Sequence, residues 1–239
     1  MRMTLSSLSL ALAGSVLLMS SFAAQAKGGV ALGATRLIYP EGQKEISVAL
    51  TNTSPEASYL VQSWITTATD QKTQDYILTP PLFVSKPKSE NTLRVMYAGP
   101  ALPTDRESVF YLHSRSIPSI DKSKLTKSNV LQIAIESVIK VFWRPKGLPL
   151  KPDAAPALLT CHQGGNAVTI KNPSPYYLSL VSLYTGTRKL PNTMIPPKGE
   201  TTLQIPGGKG GAVTFKNIND YGAMSGTMTC SASGSKLSS

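Results

Sequence analysis

The sequence predicts an all-β protein with two domains. Short apolar or alternating runs recur from Val30 to about Met228, with turn-forming residues between them. No helical stretch of ordinary length interrupts the series. Part-way along, Arg144-Pro145-Lys146-Gly147-Leu148-Pro149-Leu150-Lys151-Pro152 breaks it. Prolines there deny hydrogen bonds to any ladder, so this segment reads as an elbow between domains.

The chain starts with a segment that is not part of that fold. Arg2 supplies a positive start, residues 8–18 are apolar or small, and Ala24-Gln25-Ala26 is a small-x-small site. Together these predict a secretory signal peptide over 1–26, cleaved after Ala26. Its apolar core is too short to span a bilayer comfortably. Export places the chain in an oxidising compartment. There the two cysteines, Cys161 and Cys230, read as one disulfide.

In the first domain, 27–146, strands are predicted over 30–39, 45–51, 59–66, 82–84, 92–97, 108–114 and 130–143. Pro40-Glu41-Gly42, Asn52-Thr53-Ser54-Pro55 and Thr79-Pro80-Pro81 punctuate them. Seven short strands at this spacing suggest an immunoglobulin-like sandwich, with Trp64 filling its core. The last strand is the most informative. Leu131, Ile133 and Ile135 share one face; Val130, Gln132, Ala134 and Glu136 share the other. A turn-forming segment with Lys122, Lys124 and Lys127 leads straight into it. A long apolar strand beside such a loop is either core or an edge that recruits other strands.

The second domain, 147–239, is predicted to hold strands over 157–161, 167–172, 178–184, 200–205, 212–218 and 225–231, then a polar, disordered tail over 233–239.

Several function classes are excluded. The formal net charge is +11, but the basic residues are scattered and the chain is exported, which argues against nucleic acid. Neither His113 nor His162 stands at metal-ligand spacing, so no metal or other cofactor is predicted. No Gly-x-Ser-x-Gly or phosphate-cradling loop occurs. Gly207-Gly208-Lys209-Gly210-Gly211 has no helix after it and reads as a hairpin or flexible loop. The chain is not read as an enzyme.

Three segments carry the reading further. Leu102-Pro103-Thr104-Asp105-Arg106-Glu107-Ser108 runs through to Arg115-Ser116-Ile117-Pro118. Asn129-Val130-Leu131-Gln132-Ile133-Ala134 continues to Ile139-Lys140-Val141-Phe142-Trp143-Arg144-Pro145. Asn172-Pro173-Ser174-Pro175-Tyr176-Tyr177 precedes Ile218-Asn219-Asp220-Tyr221-Gly222. In this order they resemble the periplasmic chaperones of pilus (fimbrial) assembly, the PapD-like family, over almost the whole mature chain. The loop before the donor strand resembles that of the short-loop branch.

The resemblance implies two immunoglobulin-like domains set as an L or boomerang around a cleft. It implies a periplasmic chaperone that uses no cofactor and lends a strand to pilin subunits. Leu131, Ile133 and Ile135 would enter the pilin groove, Arg36 and Lys140 would hold the pilin C-terminal carboxylate, and Glu107, Arg144 and Asp220 would form an ion network across the domain boundary. An outer-membrane usher would receive the complex. In the absence of pilin, a second copy of the chain would cap the apolar edge. The chain departs from the family pattern at His113, where an Asn is usual, and at Ser114, where an apolar residue is usual. The rival reading is a pilus subunit or two-domain adhesin built from the same sandwiches. Against it, Lys27-Gly28-Gly29-Val30 offers no long alternating extension to donate.

Overall fold

The computed structural model describes residues 28–119, 132–208 and 210–238. Nine strands precede the elbow: β1 (Val30–Leu32), β2 (Arg36–Pro40), β3 (Ile46–Asn52), β4 (Tyr59–Thr67), β5 (Tyr76–Thr79), β6 (Leu82–Ser85), β7 (Ser89–Tyr97), β8 (Ser108–Pro118) and β9 (Ile135–Arg144). A 3-10 turn, Pro152–Leu158, opens the second half. After it come β10 (Thr160–Gly164), β11 (Ala167–Asn172), β12 (Leu178–Thr185), β13 (Arg188–Lys189), β14 (Thr193–Ile195), β15 (Gly199–Gln204), β16 (Val213–Ile218), β17 (Met228–Ser231) and β18 (Gly234–Leu237).

The first domain packs the sheet β1-β3-β7-β5 against the sheet β2-β9-β8-β4-β6. The two inner faces enclose Leu93, Val95, Leu112 and Val141, all fully buried. Tyr76 meets Phe110 and Tyr97 edge-on at 4.9 Å each. The strand predicted over 30–39 is in fact two. Gly33 backs against Ala49, where a Cβ would lie 3.2 Å from the Ala49 Cβ. There the chain leaves β3 and crosses to the other sheet, where β2 pairs in parallel with β9.

Trp64 is not a core residue. Val61, Ser63 and Ile65 of β4 are buried, and Trp64 lies on the opposite face, half-buried. Strand alternation forces that choice, because residues of opposite parity cannot share a face. The tryptophan that fills the core is Trp143 on β9.

β9 begins at Ile135, later than the predicted residue 130. Its ladder with β8 ends at Ser116↔Ile135, just short of Pro118, which has no N–H to give. Leu131 and the lysines at 122, 124 and 127 lie outside the described residues, as does the whole leader.

The second domain packs the sheet β10-β11-β15 against β13-β12-β16-β17-β18, with β14 beside β12. Leu180, Leu183, Ile170 and Phe215 form its buried centre. Cys161 on β10 is bridged to Cys230 on β17, tying one sheet to the other. Three readings are corrected here. Ala157 and Leu158 close the proline-containing 3-10 turn, and β10 starts only at Thr160. The strand read over 225–231 is only Met228–Ser231. The tail is not disordered: β18 adds to the sheet edge through backbone pairing with β17, which polar side chains do not prevent.

Candidate functional site: a cation pair between the domains

β9 is one strand with two environments. Its odd-numbered side chains Ile139, Val141 and Trp143 face the first domain's own core. The even ones face outward, and the second domain covers part of that face: Phe142 lies 5.8 Å from the Tyr177 ring, ring to ring. Lys140 and Arg144 stand on that same face, one residue to either side of Phe142 in the alternation.

Arg144 is saturated. Its Nε donates to Glu107 Oε1 at 2.7 Å, and its two terminal nitrogens donate to Asp220 at 2.6 and 2.8 Å. Burial alone would lower its pKa, but Asp220 and Glu107 together outweigh that and hold the guanidinium firmly charged. The Glu107 side chain is only 1% exposed. Burial pushes its carboxyl up, while Arg144 and the Tyr177 N–H, at 2.8 Å, pull it down. Burial outweighs these donors, so its pKa stays above the ordinary carboxylate value. Asp220 comes from the loop after β16, so the trio spans both domains.

The Asn172-Pro173-Ser174-Pro175-Tyr176-Tyr177 segment builds the other wall. Asn172 Oδ1 accepts from the Ser174 N–H at 3.0 Å and its hydroxyl at 2.7 Å, while Asn172 Nδ2 donates to the Tyr176 carbonyl at 2.7 Å. This self-bonded turn presents the Pro175 carbonyl to the Glu107 N–H at 2.9 Å. It also sets the Tyr176 ring 5.1 Å from the Arg144 guanidinium.

Arg36 and Lys140 differ from Arg144 in every respect. The parallel register makes them direct cross-strand partners, Arg36↔Lys140. Arg36 Nη1 donates to the Ile218 carbonyl at 3.0 Å, and its Nε is buried without a partner. Among the described residues, Lys140 Nζ donates only to the Ser179 hydroxyl, at 3.2 Å. Among the described residues no carboxylate forms an ion pair with either. Burial lowers the pKa of both; Asp220 and Glu107 partly offset this for Arg36, while Arg36 lowers that of Lys140 further. Two partly desolvated cations side by side have hydrogen-bond donors to offer an anion. A small cleft opens beside Arg36, lined by Phe142, Arg144 and Tyr177 and also by the carboxylates of Glu107, Asp153 and Asp220.

The odd face of β9 continues past its own sandwich. Ile135 is 59% exposed and Ile133 is 62% exposed. Among the described residues, the strand pairs over Ile135–Ile139 with β8 alone, because β2 joins only at Lys140. An unpaired edge and an uncovered apolar face therefore coincide.

The two departures from the family pattern are both buried and bonded to neighbours. Ser114 is buried with its Oγ 3.5 Å from that of its cross-strand partner Ser63. His113 is buried on the outer face, stacked 5.0 Å from Trp64. Sequence reasoning missed Ser179 as the Lys140 partner, and it missed a second interdomain ion pair, Lys198 to Asp105 at 2.6 Å. Neither carries a local motif.

Two sandwiches meeting at a cleft with unpaired cations, and a strand that overruns its own domain, define a subunit-binding chaperone of the kind the resemblance implies. The family model "Pili and flagellar-assembly chaperone, PapD N-terminal domain" matches residues 29–149. The model "Pili assembly chaperone PapD, C-terminal domain" matches residues 154–228. The chain belongs to this family of pilus-assembly chaperones. It is 48% identical over 220 residues to the chaperone protein FimC of Escherichia coli K12, covering 91% of each chain. It is 49% identical to the chaperone protein FocC of Escherichia coli, covering 84% of this chain and 88% of that one. The crystal structure of the periplasmic chaperone SfaE superposes with a TM-score of 0.75 at 44% identity, covering 85% of this chain and all of that one (100%). SafB of Salmonella enterica, solved in complex with the pilin SafA, gives a TM-score of 0.76 at 28% identity, covering 85% of this chain and 96% of that one.

Proposed function

We propose that this chaperone captures pilin subunits in the periplasm by lending them the start of β9 and the residues that lead into it, then passes them to an outer-membrane usher. One observation carries the reading: the face that is core at Val141 becomes open apolar surface at Ile135 and Ile133, beside an unpaired backbone edge. Leu131 extends the same alternation. A pilin lacking a strand would gain main-chain pairing from that edge and apolar knobs from that face. Each buried knob contributes about 1.5–3 kcal/mol.

Arg36 and Lys140 would take the pilin's terminal carboxylate and so fix the register, since a one-residue slip turns every knob outward. Glu107, Arg144 and Asp220 would hold the domains at the angle that keeps this pair open. The boundary falls between Lys146 and Gly147, whose φ of +71 suits a glycine. The leader would be removed after Ala26. Without pilin, a second copy would cover the open edge weakly. The rival reading, a pilus subunit or adhesin, has no support in the family match.

Ile133→Glu tests the proposal. The side chain is exposed in the free chain, so the fold should survive while pilin capture and self-association both fall. If Ile133→Glu instead unfolds the first domain, and binding falls only with folding, Ile133 is ordinary core and the proposal fails.

A further inference from the structure

Facing away from Ile133 and Ile135, two polar side chains of the same segment are tied back to the sheet. Gln132 Nε2 donates to the Pro118 carbonyl at 2.7 Å, at the end of β8. Glu136 is held three ways. Its Oε1 lies 2.8 Å from His113 Nδ1, and its Oε2 accepts from Arg115 Nε and Nη2 at 3.0 and 2.8 Å. His113 and Arg115 are themselves fixed. The His113 ring stacks on Trp64 with an interplanar angle of 12°, its Nε2 sits 3.0 Å from the Thr66 hydroxyl, and the Arg115 guanidinium lies 5.0 Å above the Trp64 ring. Asp70 Oδ1 is 3.7 Å from His113 Nε2, and Lys72 caps the Trp64 ring at 5.1 Å.

This arrangement fixes the histidine's proton. A carboxylate only accepts, so Nδ1 must carry hydrogen and point it at Glu136. In the neutral ring Nε2 is then the acceptor, and the Thr66 hydroxyl donates to it.

We infer that Gln132 and Glu136 are positioning residues that hold the donor segment at both ends and so present Ile133 and Ile135 on the open face before any partner arrives. The two tethers lie four residues apart and share one parity. Ile133 and Ile135 fall between them on the other. With both tethers made, the segment can neither twist over nor slip by one residue without breaking them. The part of the chain that needs this help is the part the ladder does not supply: residues 132–134 are outside any strand, and Ile135–Ile139 is paired on one side only. An ordered segment loses less conformational freedom on binding than a loose one. The inference deepens the donor-strand reading and rests on it for its purpose, but the tethers exist in the free chain and are tested there.

The test is amide hydrogen exchange, followed by mass spectrometry, on the mature protein at a concentration where sedimentation shows a monomer. Glu136→Leu keeps a strand-compatible side chain and removes all three contacts. It should speed exchange of the segment 132–139 about tenfold, while peptides from the core of β4 and β8 keep their wild-type rates. Glu136→Gln retains an acceptor for His113 and should lose less, about threefold. His113→Asn should loosen the same segment in the wild-type background and add nothing in the Glu136→Leu background. Unchanged exchange over 132–139 would overturn the inference. So would equal acceleration of the core peptides, which would make Glu136 a general support of the fold, and so would additive effects of His113→Asn and Glu136→Leu. Pilin is absent from this experiment. Failure of the tethers therefore leaves the capture proposal standing, and failure of Ile133→Glu to block capture leaves the tethers standing.

Discussion

Lys140 and Arg144 share one face of one strand, four residues apart, and the protein treats them in opposite ways. Arg144 meets two carboxylates from two domains and makes three charge-assisted hydrogen bonds. Lys140 is set beside a second cation, Arg36, and given a single hydroxyl. The first arrangement is closed by hydrogen bonds: one guanidinium holds two carboxylates, whose surplus negative charge also acts on Arg36. The second leaves positive charge partly out of water with its acceptors missing. Desolvated charge without a counter-ion costs stability. A fold that keeps two such groups adjacent has the geometry to bind an anion from outside.

Stability separates the two sites most sharply. Arg144→Ala would strand Glu107, whose side chain is almost fully buried, without its partner. Breaking a buried pair in this way costs about 3–5 kcal/mol, to be read as a lowered urea midpoint. Lys140→Ala and Arg36→Ala instead remove cations that no direct ion pair holds among the described residues. They should leave the unfolding free energy within about 1 kcal/mol of wild type or raise it slightly. Equal destabilisation at both sites would erase the distinction.

Capture reverses the order. Each cation lost at 36 or 140 should weaken pilin binding by about 1.5–3 kcal/mol, measured by titration against purified pilin, while the loop substitution Lys124→Ala changes nothing.

A smaller effect is expected from pH. Burial, then Arg36, holds Lys140 below its ordinary pKa. A carboxylate binds only the protonated amine, so affinity is full below that lowered value and falls as pH rises through it. Binding within that window should take up a proton, visible as a buffer-dependent heat. Lys140→Arg, which stays charged, should flatten the profile.

The apolar positions Ile133 and Ile135, both exposed in the structure, were legible because their alternation is local, and so was the pairing of the only two cysteines. The fold class followed from turn chemistry between short runs. Other features were out of reach for physical reasons. Arg36 meets Lys140 because β2 pairs in parallel with β9 after the chain changes sheets at Gly33, and no local pattern encodes a parallel partner so distant in sequence. Trp64 was misplaced because both faces of its strand carry apolar residues: Leu60 and Trp64 on one, Val61 and Ile65 on the other. β18 was missed because an edge strand held by backbone bonds needs no apolar side chains. The tethers around Glu136 depend on His113 and Arg115 being opposite it, which only the register of β8 and β9 supplies.

The most direct measurement compares two forms of one pilin subunit, identical except that the second carries a C-terminal amide in place of the carboxylate. Each is titrated against the wild-type chaperone and against Lys140→Ala. The account predicts that amidation weakens binding to wild type about tenfold or more and has little further effect on the Lys140→Ala variant, because the charge it removes and the charge it would have met form one interaction. Equal weakening of both chaperones by amidation, or no weakening of either, would mean that the carboxylate is held elsewhere and that the cation pair between the domains serves another purpose.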